Sequence, residues 1–279
     1  MWKLFGSKRK NNKRPNWGRI TYVALIAVGL LLIVGASRNL IVDEREYSAA
    51  RQEYEQLREN YPVIAEYLPT TQQPASLTDT DADAETLTQT PEKGPETIPN
   101  QQSAEQPQVL GSLTVLNPDF VGWIVIDGVI DYPVVRGRDN NGYLRVTFSG
   151  QRNSSGTIFM DYRNSQGFSG DVCIVYGHNM RDGSMFAPLK KYREKRFMEA
   201  HPNINIVTSD GDILSYRVFA TKMTDAWDDA YTCSFADCMA VAKSSGRIPE
   251  DVSRFLILST CTNSSDKDDR LLVYAALTT

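Results

Sequence analysis

The chain has 279 residues, 41% of them apolar, and a formal net charge of −4. That length suits one or two domains, and a charge balance this even excludes a chain built to bind nucleic acid. Four cysteines and two histidines, with no CxxC and no cysteine–histidine pairing at ligand spacing, exclude a zinc site, and no cofactor is expected.

The N-terminus is basic. Lys3, Lys8, Arg9, Lys10, Lys13, Arg14 and Arg19 stand there with no acid among them. From Ile20 to Ala36 the chain is apolar apart from Thr21, Gly29 and Gly35, about 17 residues at the short end of what a spanning helix needs. Trp17 and Tyr22 mark one edge, where amphipathic rings favour the headgroup region. The positive-inside rule then predicts a cytoplasmic basic tail over 1–19, a single-pass signal anchor over 20–37, and everything beyond Arg38 outside the cell membrane. A signal peptide cleaved near Val34 and Ala36 is the competing reading, although the apolar run is long for a signal h-region.

Tyr47, Ala50, Tyr54, Leu57 and Tyr61 recur at alternating spacings of three and four, which is helical and close to a heptad seam. The run is too short for a coiled coil and predicts a stalk helix within 38–69, ended by Pro62. Residues 70–108 are rich in Thr, Gln, Pro and acids; Asp79, Asp81, Asp83, Glu85, Glu92, Glu96 and Glu105 face a single Lys93. Such a segment buries too little surface to offset its ordering entropy and reads as a flexible linker.

Folded sequence resumes over 109–279. Apolar β-type runs dominate it: Gly122–Ile126, Tyr132–Val135, Thr157–Met160, Val172–Tyr176, Ile204–Val207, Ile213–Thr221, Phe255–Leu258 and Leu271–Leu277. Asp127-Gly128, Asn153-Ser154-Ser155-Gly156 and Asp210-Gly211 supply turns between them. Gly183–Tyr192, continuing to Glu199, and Ser234–Ser244 read as helices, the second with Asp237 near its start and Gly246 past its end. Many strands with few helices predict a mainly β domain, a barrel or sandwich carrying helical insertions.

Position ranks the cysteines. Cys173, inside an apolar run, and Cys238, beside Met239 and Val241 in a helix, read as small buried hydrophobes. Cys233 sits at a helix entrance with no histidine near in sequence. Cys261 follows the buried run Phe255–Leu258 and faces the polar stretch Thr262–Asp266, where a reactive thiol can meet substrate. Nucleophilic work at neutral pH then requires a base or a cation beside it. His178 occupies the same kind of place: a strand, Gly177, then the imidazole. His201, in a loop before another strand, reads as a surface residue. Arg270 enters the last strand and can reach Cys261 if the two strands pair, there to stabilise charge on a carbonyl oxygen. Spacing alone favours an exposed arginine paired with Asp268 or Asp269.

Five blocks, in order, resemble the class B sortases: Asn117–Ile124; Ile130–Val135; Gly156–Asn164; Tyr176–Met180 with Gly183, Met185-Phe186 and Leu189; and Leu258-Ser259-Thr260-Cys261 followed by Arg270. The resemblance implies an eight-stranded sortase-type β-barrel with helical insertions, a helix between the sixth and seventh strands, and an N-terminal helix around Gln108–Asn117. It implies a cysteine transpeptidase with Cys261 as nucleophile, His178 as acid/base partner and Arg270 as oxyanion or substrate-orienting group. Asn140, Leu144, Tyr176, Ser259 and Tyr231 match positions lining the groove. The implied partners are secreted proteins carrying a C-terminal sorting signal of the Asn-Pro-x-Thr-x kind and a peptidoglycan amine. A pilin-polymerising sortase, a hydrolytic cysteine peptidase and a catalytically silent wall-facing binding module are the alternatives. Thr262 departs from the family, in which an acid often follows the cysteine.

Overall fold

Among the described residues, eight strands form where apolar runs alternate with turn residues, and they close on themselves. The computed structural model describes residues 17–61, 110–232, 234–247, 252–262 and 268–278. The basic tail before Trp17, Pro62 with the linker to 108, Cys233 and the polar residues 263–267 lie outside them.

The strands are β1 (Phe120–Ile126), β2 (Ile130–Val135), β3 (Ile158–Met160), β4 (Val172–Tyr176), β5 (Asn203–Thr208), β6 (Ile213–Asp225), β7 (Phe255–Cys261) and β8 (Asp269–Leu277). They form a closed barrel in the order β1-β2-β3-β4-β7-β8-β6-β5. Closure leaves no strand edge for another chain to pair with. Two contacts are parallel, β2 with β3 and β4 with β7; the others are antiparallel.

The helices are α1 (Trp17–Asn60), α2 (residues 110–116), α3 (Lys195–Ala200) and α4 (Phe235–Ser245). Helix α4 starts at Ser234, whose hydroxyl accepts the Asp237 N–H, and stops at Gly246 in the left-handed conformation, as its capping signals predict. The single helix expected from Gly183 is two pieces: a 3-10 helix, Ala187–Arg193, then α3, separated by the extended residue Glu194. It also begins later. Asp182 accepts the N–H and hydroxyl of Ser184 in a local turn, and Met185 has a φ of 56°, so residues 183–186 cannot join a right-handed helix.

Alternation along β7 sorts its side chains onto two faces. Leu256 and Leu258 point into the barrel with Val175, Leu271, Val273 and Ala275. Phe255 and Ile257 point outward and pack with Ile174, Leu272, Tyr274 and Ala276 beneath Cys238 and Ala242 of α4. Because both faces are covered, β4, β7 and β8 read as continuous apolar runs rather than alternating ones.

The chain divides into two compact units, Met1–Glu46 and Tyr47–Thr279. In the first, Tyr22, Leu25, Ile26, Val28, Leu30, Leu31, Leu32 and Ile33 are exposed along α1. Among the described residues no helix is long and apolar enough to cross a membrane. In the second unit the seam of α1 is covered. Ala50, Tyr54 and Leu57 are buried in the barrel's own core cluster, with Tyr47 and Tyr61 packed against it. The three-and-four seam forms because an apolar stripe must be covered, and here the barrel covers it.

Candidate active site

The pairing of β4 with β7 brings residues far apart in sequence to one end of the barrel. Tyr176 is register partner to Ser259 in this parallel pair. Beyond the last ladder rung the alignment persists: the Gly177 N–H donates to the Ser259 carbonyl at 3.1 Å, and the Thr260 hydroxyl donates to the Gly177 carbonyl at 2.8 Å. One further step along each chain gives His178 and Cys261, at the same separation of 83 residues as that last hydrogen bond. On the other side of β7, Cys261 is directly opposite Arg270 of β8. Two strand pairings therefore bring imidazole, sulfur and guanidinium to one place.

Face alternation decides which way Cys261 lies. Phe255, Ile257, Ser259 and Cys261 share the outer face of β7, past the edge of the cluster covered by α4. There the barrel wall opens into a cavity of about 430 Å³. All eight residues expected from the sequence line it: Cys261, His178 and Arg270, with Asn140, Leu144, Tyr176, Ser259 and Tyr231. Cys173 and Cys238 are buried, whereas Cys261 is half-exposed, so this thiol can be reached. His201 lies elsewhere, its ring against Phe197.

Backbone hydrogen bonds hold the imidazole. The His178 Nε2 lies 2.7 Å from the Leu144 carbonyl oxygen. A carbonyl only accepts, so Nε2 carries a proton and Nδ1 is the nitrogen left for exchange. Leu144 sits on a 3-10 helix, Gly142–Arg145. The segment entering it is tied down by Asp139, whose Oδ1 accepts the N–H groups of Asn141 and Gly142 at 2.7 and 2.9 Å. Those two bonds lower the Asp139 carboxyl from its ordinary value.

Gly177 is a glycine for space, not for turning. It is absent from the positive-φ glycines. A Cβ here would meet Ile158 Cδ1 and Phe186 Cγ, each at 2.5 Å. The strand must run tight against these two buried side chains to deliver His178.

The floor of the cavity is polar and preorganised. Tyr231 stacks on Tyr176, with ring centroids 6.1 Å apart and planes 19° apart, and its hydroxyl lies 2.9 Å from the Ser259 Oγ. The Tyr176 hydroxyl donates to Asp161 Oδ2 at 2.7 Å. Asp161 also accepts from Asn140 Nδ2 at 3.0 Å and takes a two-point contact from Arg163, at 2.8 and 2.7 Å. Burial alone would raise this carboxyl, but the Arg163, Tyr176 and Asn140 donors outweigh it and hold it at about 2. Asp161 therefore stays ionised, and burial with that anion at its hydroxyl drives Tyr176 upward and keeps it a neutral donor. Asn140 also lines the cavity, and its Oδ1 accepts the Tyr162 N–H at 3.1 Å.

The sequence reading passed over Asp161, Arg163 and Phe159. Asp161 and Arg163 lay inside a block that signalled the family, and only their separation of two residues hinted that they pair. Among the described residues the cavity lining holds two arginines, Arg163 and Arg270, and no acid. Asp161, just behind, neutralises one of them.

A half-exposed thiol, an imidazole and a guanidinium at the ends of three barrel strands define a thiol acyl-transfer enzyme. The Sortase domain family matches residues 125–278. The chain is 35% identical over 185 residues to sortase B of Listeria monocytogenes, covering 61% of this chain and 74% of that protein. The solved structure of Bacillus anthracis sortase B aligns with a TM-score of 0.58 at 26% identity, over 84% of this chain and 98% of that one. A Streptococcus pyogenes class B sortase involved in pilus biogenesis aligns at 0.53 and 30% identity, over 60% and 97%. The chain belongs to the sortase family and is a cysteine transpeptidase of the sortase B type.

Proposed function

We propose that Cys261, His178 and Arg270 carry out acyl transfer from a C-terminal sorting signal to a cell-wall amine. The carrying observation is the double register that brings β4, β7 and β8 to one cavity. The Cys261 thiol passes its proton to His178 Nδ1, and the resulting thiolate attacks the carbonyl carbon of the threonine in an Asn-Pro-x-Thr-x motif, where the developing oxyanion meets the Arg270 guanidinium. The C–N bond breaks, the departing amine takes a proton from His178 Nδ1, and a thioester remains on Cys261. An incoming peptidoglycan amine then attacks the thioester, gives its proton back to His178, and regenerates the thiolate. The aromatic wall of Tyr176 and Tyr231, with Leu144 and Phe159, suits an extended peptide.

Placement follows the same reading. The basic N-terminus and the exposed apolar stretch of α1 between Tyr22 and Ile33 support a single-pass anchor, cytoplasmic tail inward and barrel outward. The likeness to a sortase involved in pilus biogenesis supports one second reading, in which the acceptor is a lysine of another protein.

The test uses the full chain in detergent with fluorogenic Asn-Pro-x-Thr-x and Leu-Pro-x-Thr-Gly peptides, each with a peptidoglycan-type amine, a lysine peptide, or neither. Thiol-dependent transfer of the first peptide to the first amine is expected, with Cys261→Ala folded and inactive. Cleavage that persists in Cys261→Ala ends the proposal, and preference for the lysine peptide moves it to the second reading.

A further inference from the structure

The C-terminal part of α1 touches the loops that hold the imidazole from two directions. The first route starts at the Tyr54 hydroxyl, which donates to the Gly156 carbonyl at 2.6 Å and lies 3.3 Å from the Thr157 Oγ1. Gly156 has a φ of +59°, and a Cβ there would meet the Tyr143 carbonyl oxygen at 2.5 Å and that of Leu144 at 2.8 Å. The Thr157 N–H donates to the Tyr143 carbonyl at 3.1 Å, and its hydroxyl donates to the Val146 carbonyl at 2.7 Å. Two residues thus clamp the short helix carrying the Leu144 carbonyl, which accepts from His178.

The second route runs to the far side of the histidine. Tyr54 packs edge-on against Tyr132, with centroids 5.2 Å apart. The Tyr132 hydroxyl accepts the Met185 N–H at 3.1 Å. Met185 bridges to Asn179, and the Phe186 N–H donates to the His178 carbonyl at 2.9 Å, closing the loop that begins with the histidine. Met185 is the one non-glycine residue with positive φ among those described, so this loop needs holding. Arg51, one turn earlier on the helix, adds an ion pair to Asp182 of the same loop at 3.0 Å.

We propose that Tyr54, assisted by Arg51, is a positioning residue for the catalytic imidazole: its hydroxyl fixes the carbonyl that orients His178 while its ring fixes the loop that follows. This rests on the reading of His178 as the acid/base group. Tyr54 is buried, at 2% exposure, and burial raises its hydroxyl, so it stays a neutral donor at working pH.

Tyr54→Phe keeps the ring and deletes the hydrogen bond. In the full chain in detergent, kcat for peptide transfer is expected to fall about tenfold, close to 1.4 kcal/mol of barrel-to-site misalignment. KM should stay within about twofold and the pH profile of kcat/KM should shift, since His178 rather than the peptide groove is disturbed. Arg51→Ala is expected to fall about two- to threefold, and Gln52→Ala, on the exposed face of the same helix, to match the parent. The chain has two histidines, so a second readout needs no substrate. The His178 ring resonance should move in Tyr54→Phe while that of His201 stays. A Tyr54→Phe chain with parental kcat, pH profile and His178 resonance overturns the positioning role and leaves the transpeptidase reading intact. A parent chain without thiol-dependent transfer overturns both.

Discussion

Gly177→Ala is the sharpest probe of how the barrel delivers its histidine. The new Cβ would stand 2.5 Å from Ile158 Cδ1 and Phe186 Cγ and 2.6 Å from Phe186 Cδ2, against about 3.5 Å for carbon atoms in ordinary contact. Something must yield by about 1 Å. Ile158 and Phe186 are fully buried, and the Gly177 backbone is held by its N–H and its carbonyl to β7. The least costly relief shifts residue 177 away from the core, and His178 with it. Overpacking of this kind costs about 1–3 kcal/mol, which lowers the melting temperature of a domain this size by roughly 2–12 °C. A shift approaching 1 Å at the imidazole costs up to about 100-fold in kcat/KM. Thermal unfolding followed by circular dichroism and peptide-transfer kinetics below the transition measure the two effects separately. A variant that melts within about 1 °C of the parent and turns over equally fast would show that the cavity relaxes freely and that the tight fit does not set the histidine.

Other consequences follow from the site's polar groups. Arg270→Ala should reduce kcat about 100- to 1000-fold with the melting temperature little changed, and Arg270→Lys should recover only part of it, because a single ammonium lacks the planar fork. Asp161, held at about 2 in the fold against 3.8 for the free group, contributes stability on the order of 2 kcal/mol. A depressed carboxyl contributes fully above its unfolded value, so this share is lost as pH falls from about 4 toward about 2. Asp161→Asn should flatten that part of an acid-unfolding curve, and an unchanged acid limb would refute the assignment. Tyr231→Phe removes the contact with the Ser259 Oγ and should raise KM a few-fold, about 0.5–1.5 kcal/mol, with kcat nearly kept.

The strands were legible because burial on both faces writes them as apolar runs; Val172–Tyr176 has the bounds read from sequence. Ends were less legible. Phe255–Leu258 extends through Ser259 and Thr260 to Cys261, because those hydroxyls find partners in Tyr231 and the Gly177 carbonyl, and polarity there does not mean loop. Cys261 and His178 stand out as candidates from their places at strand ends, whereas Arg270, like the groove residues, enters only through family resemblance. The support behind them was hidden for physical reasons. Leu144 acts through its carbonyl, which every residue has. Gly177 is constrained by two side chains distant in sequence. The seam from Tyr47 to Tyr61 showed that a helix buries one face, but not that the barrel receives it.

The parallel pairing of β4 with β7 explains how a site can depend so little on chain proximity. Parallel neighbours need a long crossover, and here it carries β5, β6, α3 and α4, none of which supplies the imidazole or the sulfur. Ala226 and Tyr231 of this crossover add groove wall on the way. What cannot change is the register. Shifting β7 by one residue would turn Thr260 outward and Cys261 into the barrel interior. It would also cost the Thr260–Gly177 hydrogen bond and point Leu256 and Leu258 away from the core. The hydrophobic pattern that folds the barrel is therefore the same device that presents the thiol to His178 on one side and to Arg270 on the other.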